Sequence, residues 1–276
     1  MKSPYQWSFS KSQTWNKCQR MYYYSYLKRF DPDEEGKTVD ELYHLFNVAT
    51  YKGTLIHQAI EDYILNQLCG ARFNLTNAAK SIIRKIDELN NSGTSVEKIN
   101  GLELSEEYMA NLKNEVSTSL QAFEASLWPL IMKYQHLSVE KYDRFECGDY
   151  LVTLKPDYMV KDNDFVKIFD WKTGTKKNDD YFQAIVYCMY AMDKYDLKEN
   201  EVSAELVYLS DLKRYIVNPT PERIKGMEAR IKKESEEILA LDYVPEGTHN
   251  EDCIYCKFYN ICEKNKKYKT AEEVIV

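Results

Sequence analysis

The sequence predicts an α/β fold, and three observations predict it. Helix-spaced apolar positions dominate the first 135 residues, short runs rich in Val, Ile, Phe and Tyr follow from Leu137, and one helical stretch interrupts those runs before two further strands. A chain of 276 residues is long enough for one large domain with a sizeable core. No internal repeat or low-complexity linker cuts it, so residues 1–276 read as a single domain with a helical insertion at 66–135.

The elements follow in order. Ser8 is an N-cap candidate for a helix carrying Trp15, Cys18, Gln19, Tyr22, Tyr23 and Tyr26 at helical spacing, and Asp31 to Lys37, with Pro32 and Gly36, breaks it. Gly53 to Ile64 opens a second helix. Asn90 to Gly101 reads as a loop leading to the strongest element of the insertion, Leu104 to Trp128, where Met109, Leu112, Val116, Leu120, Phe123 and Leu127 recur every three or four residues. Strands are predicted at Ser138–Phe145, Tyr150–Leu154, Tyr158–Val160 and Phe165–Trp171. The turn residues Cys147-Gly148-Asp149 and Lys161-Asp162-Asn163-Asp164 between them make an antiparallel meander. Tyr181–Tyr195 is a helix, strands at Val202–Leu209 and Arg214–Val217 flank an Asp211-Leu212 turn, and a last helix starts at Pro221 after Thr220 and reaches Ala240. The sheet and helix of 137–220 form the expected core.

Thirty-seven Lys and Arg against 44 Asp and Glu leave a net charge of −7, which excludes a polycation that coats nucleic acid or an anionic membrane. The longest apolar runs are a few residues, so no spanning helix is expected, and Met1 to Trp7 lacks the apolar stretch of a signal peptide; a cytoplasmic location is expected. Charge is uneven, however. Met1 to Phe30 contains no acidic residue and carries +6 among nine aromatics, Cys253 to Lys269 carries +4, and the remainder carries −17. Cations interleaved with aromatics suit single-stranded nucleic acid, phosphates pairing with the cations and bases stacking on the rings. Lys11, Lys17, Arg20, Tyr22 and Tyr23 are the candidates; the plainer alternative is a half-buried amphipathic helix with ordinary lysines.

The chemistry concentrates in Lys155-Pro156-Asp157-Tyr158 and Phe169-Asp170-Trp171-Lys172-Thr173-Gly174, which face each other across a predicted hairpin. Alternation along a strand points Asp170 and Lys172 to one face and Trp171 to the other, and strand pairing brings Asp157 beside them. Two carboxylates on one face repel unless a cation or proton lies between them, and hard oxygen ligands select Mg²⁺ or Mn²⁺. The lysine can orient water or offset phosphate charge. For the tripeptide alone, a surface salt bridge between Asp170 and Lys172 is the simpler reading.

This arrangement resembles the PD-(D/E)XK nuclease superfamily, with Pro156-Asp157 matching the first half of its motif and Asp170-Trp171-Lys172 the second. Three further motifs are similar, in order, to those of its RecB-like branch: Gly53-Thr54-Leu55-Ile56-His57, Val139-Glu140, and Gln183-Ala184-Ile185-Val186-Tyr187. The resemblance implies a restriction-endonuclease-like core, a mixed sheet flanked by helices. It implies that His57, Asp157, Asp170 and the backbone carbonyl of Trp171 bind one or two divalent ions, that Lys172 orients water, and that Gln183 and Tyr187 contact DNA or brace the site. Glu140, matching the branch's first-strand acid, is implied as a further catalytic residue, or pairs instead with Lys172 or with the histidine.

Cys253, Cys256 and Cys262 read C-x2-C-x5-C, a spacing that suits metal ligation. The RecB-like iron-sulfur families take a fourth thiolate near the N-terminus, and Cys18-Gln19-Arg20 fits that place although the family's usual residue after the cysteine is Pro or Arg. The resemblance thus implies a [4Fe-4S] cluster on Cys18, Cys253, Cys256 and Cys262, joining the 250–269 segment to the N-terminal region and bringing the two basic stretches together. Zinc, with His249 in place of Cys18, is the chemical alternative. Cys69, Cys147 and Cys188 have no ligand spacing.

The expected protein is a metal-dependent DNA exonuclease similar to the CRISPR-associated "Cas-four" enzymes and their phage relatives. Its substrate would be single-stranded ends, in recombination, repair or spacer acquisition, with the helical insertion arching over the site. A DNA-binding adaptor subunit of a CRISPR integrase or recombination complex, with little activity of its own, is the alternative. Helicase or recombination partners and a homo-oligomer are compatible with the family. No Gly-x-x-x-x-Gly-Lys-Ser/Thr phosphate loop occurs, so strand separation would need a partner.

Overall fold

A computed structural model describes residues 5–176, 179–248 and 250–262. In chain order they form β1 (Gln6–Trp7), α1 (Phe9–Lys17), α2 (Gln19–Tyr26), α3 (Glu34–Tyr43), α4 (Val48–Leu68), α5 (Leu75–Asn91), α6 (Val96–Ile99) and α7 (Glu106–Ala122). A π-helical turn at Phe123–Leu127 leads into α8 (Trp128–Ile131). Then follow β2 (Gln135–Val139), β3 (Asp143–Cys147), β4 (Tyr150–Leu154), β5 (Tyr158–Asp162), β6 (Phe165–Lys172), α9 (Asp180–Tyr195), β7 (Val202–Tyr208), β8 (Lys213–Val217) and α10 (Pro221–Leu239).

The α/β class stands, with several local departures. The first expected helix is two, because Cys18 takes an extended backbone (φ −164°, ψ 112°) and becomes the residue before α2. Gly53 lies inside α4 rather than at its start, and the expected loop at Asn90 to Gly101 contains the end of α5 and all of α6. Gly36, expected in a break, is within α3, whose cap Asp33 accepts the Gly36 N–H at 2.7 Å. A Cβ at Gly36 would lie 2.2 Å from the Asp31 carbonyl oxygen, so a close backbone approach requires the glycine. Gly36→Ala is expected to destabilise the fold by about 1–3 kcal/mol, read as a lower melting temperature; an unchanged value would remove close approach as the reason for glycine.

The residues divide into two compact units. One comprises the chain up to Phe9, Lys52–Arg84 and Asn111–Ala240; the other comprises Ser10–Tyr51, Lys85–Ala110 and the chain from Leu241. Residues 66–135 therefore contribute to both.

In the first unit, the expected meander is split between two sheets. One has the order β1-β4-β3, and the other has the order β2-β5-β6-β7-β8. The break within Ser138–Phe145 falls at Glu140, a non-glycine residue at φ 43°, and Pro156, which lacks an N–H donor, separates β4 from β5. In the larger sheet β5 and β6 are antiparallel, β6 and β7 parallel, and β7 and β8 antiparallel. The main core packs α9 and α10 on these sheets through Trp7, Met159, Ile168, Ile185, Cys188, Leu206 and Ile231. At the rim of this core Asp143 accepts Lys194 Nζ at 2.6 Å and Tyr190 O–H at 2.7 Å, which hold its carboxyl well below the ordinary range. A depressed carboxylate stabilises the fold above its unfolded pKa. Asp143→Asn is therefore expected to cost about 1 kcal/mol at pH 7, a deficit that narrows below about pH 4 in denaturant titrations; a deficit independent of pH would contradict the pairing.

The second unit is built around Tyr24, Val39 and Phe258, with the Tyr24 and Phe258 rings 5.2 Å apart. Asn100 Nδ2 donates to the Ile254 and Cys256 carbonyls at 2.7 and 2.9 Å, and Lys257 Nζ donates to the Tyr43 carbonyl at 2.5 Å. These bonds tie the cysteine-rich segment to α3 and α6 in a region with little regular structure of its own. Among the described residues, no helix is long and apolar enough to cross a membrane.

Candidate active site

The site lies in the first unit, on β6 and its neighbours. Tyr158 of β5 pairs with Phe169 of β6, and one more step of that antiparallel register sets Asp157 against Asp170. Asp157 Oδ2 accepts the Trp171 N–H at 2.6 Å, which locks the carboxylate to the strand. Alternation gives the other face to Phe169 and Trp171, stacked at 5.7 Å; Phe123 from the π-helical turn meets Trp171 edge-on at 5.4 Å. This aromatic layer fixes β6 from behind the carboxylates.

His57 comes from α4, one turn after Gly53. A Cβ at Gly53 would stand 3.0 Å from Thr173 Oγ1, and buried Lys52 pairs with Glu115 and reaches the Thr173 carbonyl at 3.4 Å. The helix that carries His57 is thus seated directly on the loop after Lys172. His57 Nδ1 lies 3.2 Å from Glu140 Oε1 and 3.3 Å from Asp157 Oδ1. One ligand atom from each of these three residues falls within 4.8 Å of the others. The left-handed backbone of Glu140 orients its carboxylate into this group, and its N–H donates to the Asp157 carbonyl at 2.9 Å. Such strain at a cluster of charged side chains points to function.

Charge is concentrated. Glu140, Asp157 and Asp170 are opposed by Lys155, 2.7 Å from Glu140, and by Lys172, 2.6 Å from Asp170 Oδ2. Asp170 is 2% exposed; burial raises its pKa to about 6, Lys172 opposes the shift, and Asp157 adds to it. Burial alone would lower the His57 imidazole, but Asp157 and Glu140 raise it well above its ordinary value. Asp170 Oδ2 is buried against the Lys172 ammonium. A buried carboxylate beside two more carboxylates and an imidazole is a donor set that fits a divalent cation.

A hydrogen-bond chain braces the lysine. Lys172 Nζ donates to Gln183 Oε1 at 2.7 Å, Gln183 Nε2 to Tyr187 Oη at 2.7 Å, and Tyr187 O–H to the Lys155 carbonyl at 3.2 Å. Gln183 and Tyr187 therefore link α9 to the end of β6 and to the connection that precedes β5. Glu140 pairs with His57 and Lys155, which settles the two partners left open above in favour of the histidine. Two neighbours escaped the sequence reading: Lys155, adjacent to the Pro156-Asp157 motif, and Asp180, three residues before Gln183 on the same helical face. Motif adjacency and the i, i+3 spacing were the available signals.

The four cysteines gather in the second unit. Thr248 N–H donates to Cys18 Sγ and Asn250 N–H to Cys253 Sγ, both at 3.4 Å. Cys18 and its counterparts Cys253 and Cys262 lie close enough to Cys256 to act on its thiol, which burial chiefly pushes up to about 11. His249 and the lysines after Cys262 lie outside the described residues. Of the cationic and aromatic candidates, Tyr22 is 1% exposed, packed edge-on against Trp15; Tyr23 is half-buried. Lys11 stands over the Tyr26 ring at 5.7 Å, Arg20 over the Tyr24 ring at 5.6 Å, and exposed Lys17 lies 3.9 Å from Asp252.

No curated protein matches the sequence. Solved structures include a candidate exonuclease from Eubacterium rectale, 14% identical over 91% of this chain and 87% of that one at a TM-score of 0.48. The protein SSO0001 is 16% identical over 56% of this chain and 73% of that one at a TM-score of 0.32. A sequence profile of the PD-(D/E)XK nuclease superfamily matches residues 6–263, a span that includes every side chain of the site and all four gathered cysteines. The chain belongs to the PD-(D/E)XK nuclease superfamily.

Proposed function

We propose that this nuclease is a Mg²⁺- or Mn²⁺-dependent DNA exonuclease acting on single-stranded ends, in recombination, repair or CRISPR spacer acquisition. The convergence of His57, Glu140 and Asp157 beside Asp170 and Lys172 carries the reading. His57, Asp157, Asp170 and the Trp171 carbonyl are the ligand set, with Glu140 at the imidazole. A bound divalent ion supplies Lewis-acid stabilisation of phosphate charge and a more acidic water. Lys172, held by Gln183, presents an ammonium to the attacked phosphate or its water, and Tyr187 fixes Gln183. Burial between the β6 aromatics and α4 keeps these dipoles from reorganising.

The second unit fits a [4Fe-4S] cluster on Cys18, Cys253, Cys256 and Cys262, since backbone N–H groups already point at two of the sulfurs. The cluster's role would be structural and DNA-guiding.

Single strands labelled at the 5′ or the 3′ end, incubated with Mn²⁺ or Mg²⁺, test the activity. Linear strands should shorten from one end while circular ones persist, and a chelator should stop the reaction. Equal inactivity of wild type and Lys172→Ala on linear, circular and forked DNA, with binding retained, would favour the adaptor role instead.

A further inference from the structure

Lys172 sits between two carboxylates of different kinds. Asp170, at 2.6 Å, faces the His57-Glu140-Asp157 group, whereas Asp180, whose Oδ1 is 3.9 Å from Lys172 Nζ, sits at the first turn of α9 away from that group. Asp180 is 6% exposed, and its Oδ2 accepts the Tyr208 O–H at 2.6 Å from the neighbouring strand β7. A carboxylate so placed is held by packing, by the Tyr208 hydroxyl and by the favourable end of the helix dipole. Among the described residues, it is the second carboxylate within ion-pair distance of Lys172.

A divalent cation that takes Asp170 Oδ2, the oxygen Lys172 contacts at 2.6 Å, would stand in strong mutual repulsion with the ammonium in a water-poor site. A lysine that leaves Asp170 needs another counter-charge, or it competes with the cation. We infer that Asp180 is a positioning residue that receives the Lys172 ammonium when a divalent cation takes Asp170, keeping the lysine charged and beside the cation. The inference rests on Asp170 being a metal ligand, as proposed above. It explains why a buried aspartate outside the motif lies within reach of the motif lysine, and why Gln183, three residues further along α9, contacts the same ammonium. Gln183 is neutral and can orient Lys172, but it cannot balance its charge.

Mn²⁺ binding to the full chain, measured by calorimetry without DNA, tests this in four proteins: wild type, Asp180→Asn, Lys172→Met and the double variant. Asp180→Asn should weaken Mn²⁺ binding about tenfold, because Lys172 then stays on Asp170, and the loss should vanish in the Lys172→Met background. Tyr208→Phe, which removes the hydroxyl that holds the aspartate, should weaken binding in the same direction by about two- to threefold. Asp180→Asn binding as tightly as wild type would overturn the inference, as would an equal loss in both lysine backgrounds, the mark of a merely structural role. If wild type binds no Mn²⁺, or binds it equally well as Asp170→Asn, the metal reading fails and the inference with it.

Discussion

Lys172→Ala is expected to lower the cleavage rate by at least about 10²–10³-fold while DNA binding persists, since removing one preorganised donor from a developing oxyanion typically costs that much. The lysine is the hub of the site: it contacts Asp170 at 2.6 Å and Gln183 at 2.7 Å, and its pKa is raised by Asp170 despite the burial that opposes this. It therefore remains an ammonium through the neutral range. Its removal also exposes Asp170 to an uncompensated burial cost. The Asp170 pKa, already about 6 with the lysine opposing the shift, should climb further, so the free protein meets part of that cost by protonation rather than by unfolding. Single-turnover cleavage of an end-labelled strand, with circular dichroism as a check on folding, gives the comparison. A variant within about threefold of wild type would remove Lys172 from the reaction, since that difference is smaller than the loss of one ordinary hydrogen bond.

Cys256→Ser should give a colourless protein whose second unit is markedly less stable. Structural metal sites contribute on the order of 10 kcal/mol to the folding of the segments that hold them. Among the described residues from Leu241 to Cys262 there is little regular structure, and Phe258 and the Asn100 hydrogen bonds anchor them. Wild-type protein prepared without oxygen should be brown with broad visible absorption. In the serine variant that absorption should be lost, and limited proteolysis should cut near Tyr255 much faster. Wild-type protein that is colourless and carries stoichiometric zinc would replace the cluster with a tetrahedral zinc site.

How much of this was legible in the sequence depends on how local each relation is. Asp170 and Lys172 share a face because strand geometry has a period of two, and Gln183 and Tyr187 share one because helix geometry has a period of 3.6; both follow from spacing alone. The hairpin that opposes Asp157 and Asp170 follows from turn residues at 161–164. By contrast, Glu140 reads as part of one long strand from Ser138 to Phe145, and its left-handed backbone is imposed by the surroundings of the chain rather than by its neighbours in sequence. Gly36 and Gly53 look like helix breakers or starters, yet each lies within a helix, Gly36 against backbone too close for a side chain and Gly53 in tight contact with the Thr173 hydroxyl. Tyr22 has the composition of a stacking platform and the location of a core residue, because amphipathic helices and nucleic-acid surfaces draw on the same residues.

The sequence by itself determined the α/β class, the carboxylate-lysine hairpin and the grouping of three cysteines in ten residues, because each depends on backbone periodicity or on short spacings. Only the tertiary structure decided that the strands form two sheets, that His57 meets Glu140 and Asp157, that Cys18 joins the other thiols and that Asp180 waits behind Lys172. The His57 and Cys18 contacts join residues tens to hundreds of positions apart, and Asp180 reaches Lys172 only because α9 packs back against β6. They are chosen by packing of whole elements against one another, which no local pattern of side chains encodes.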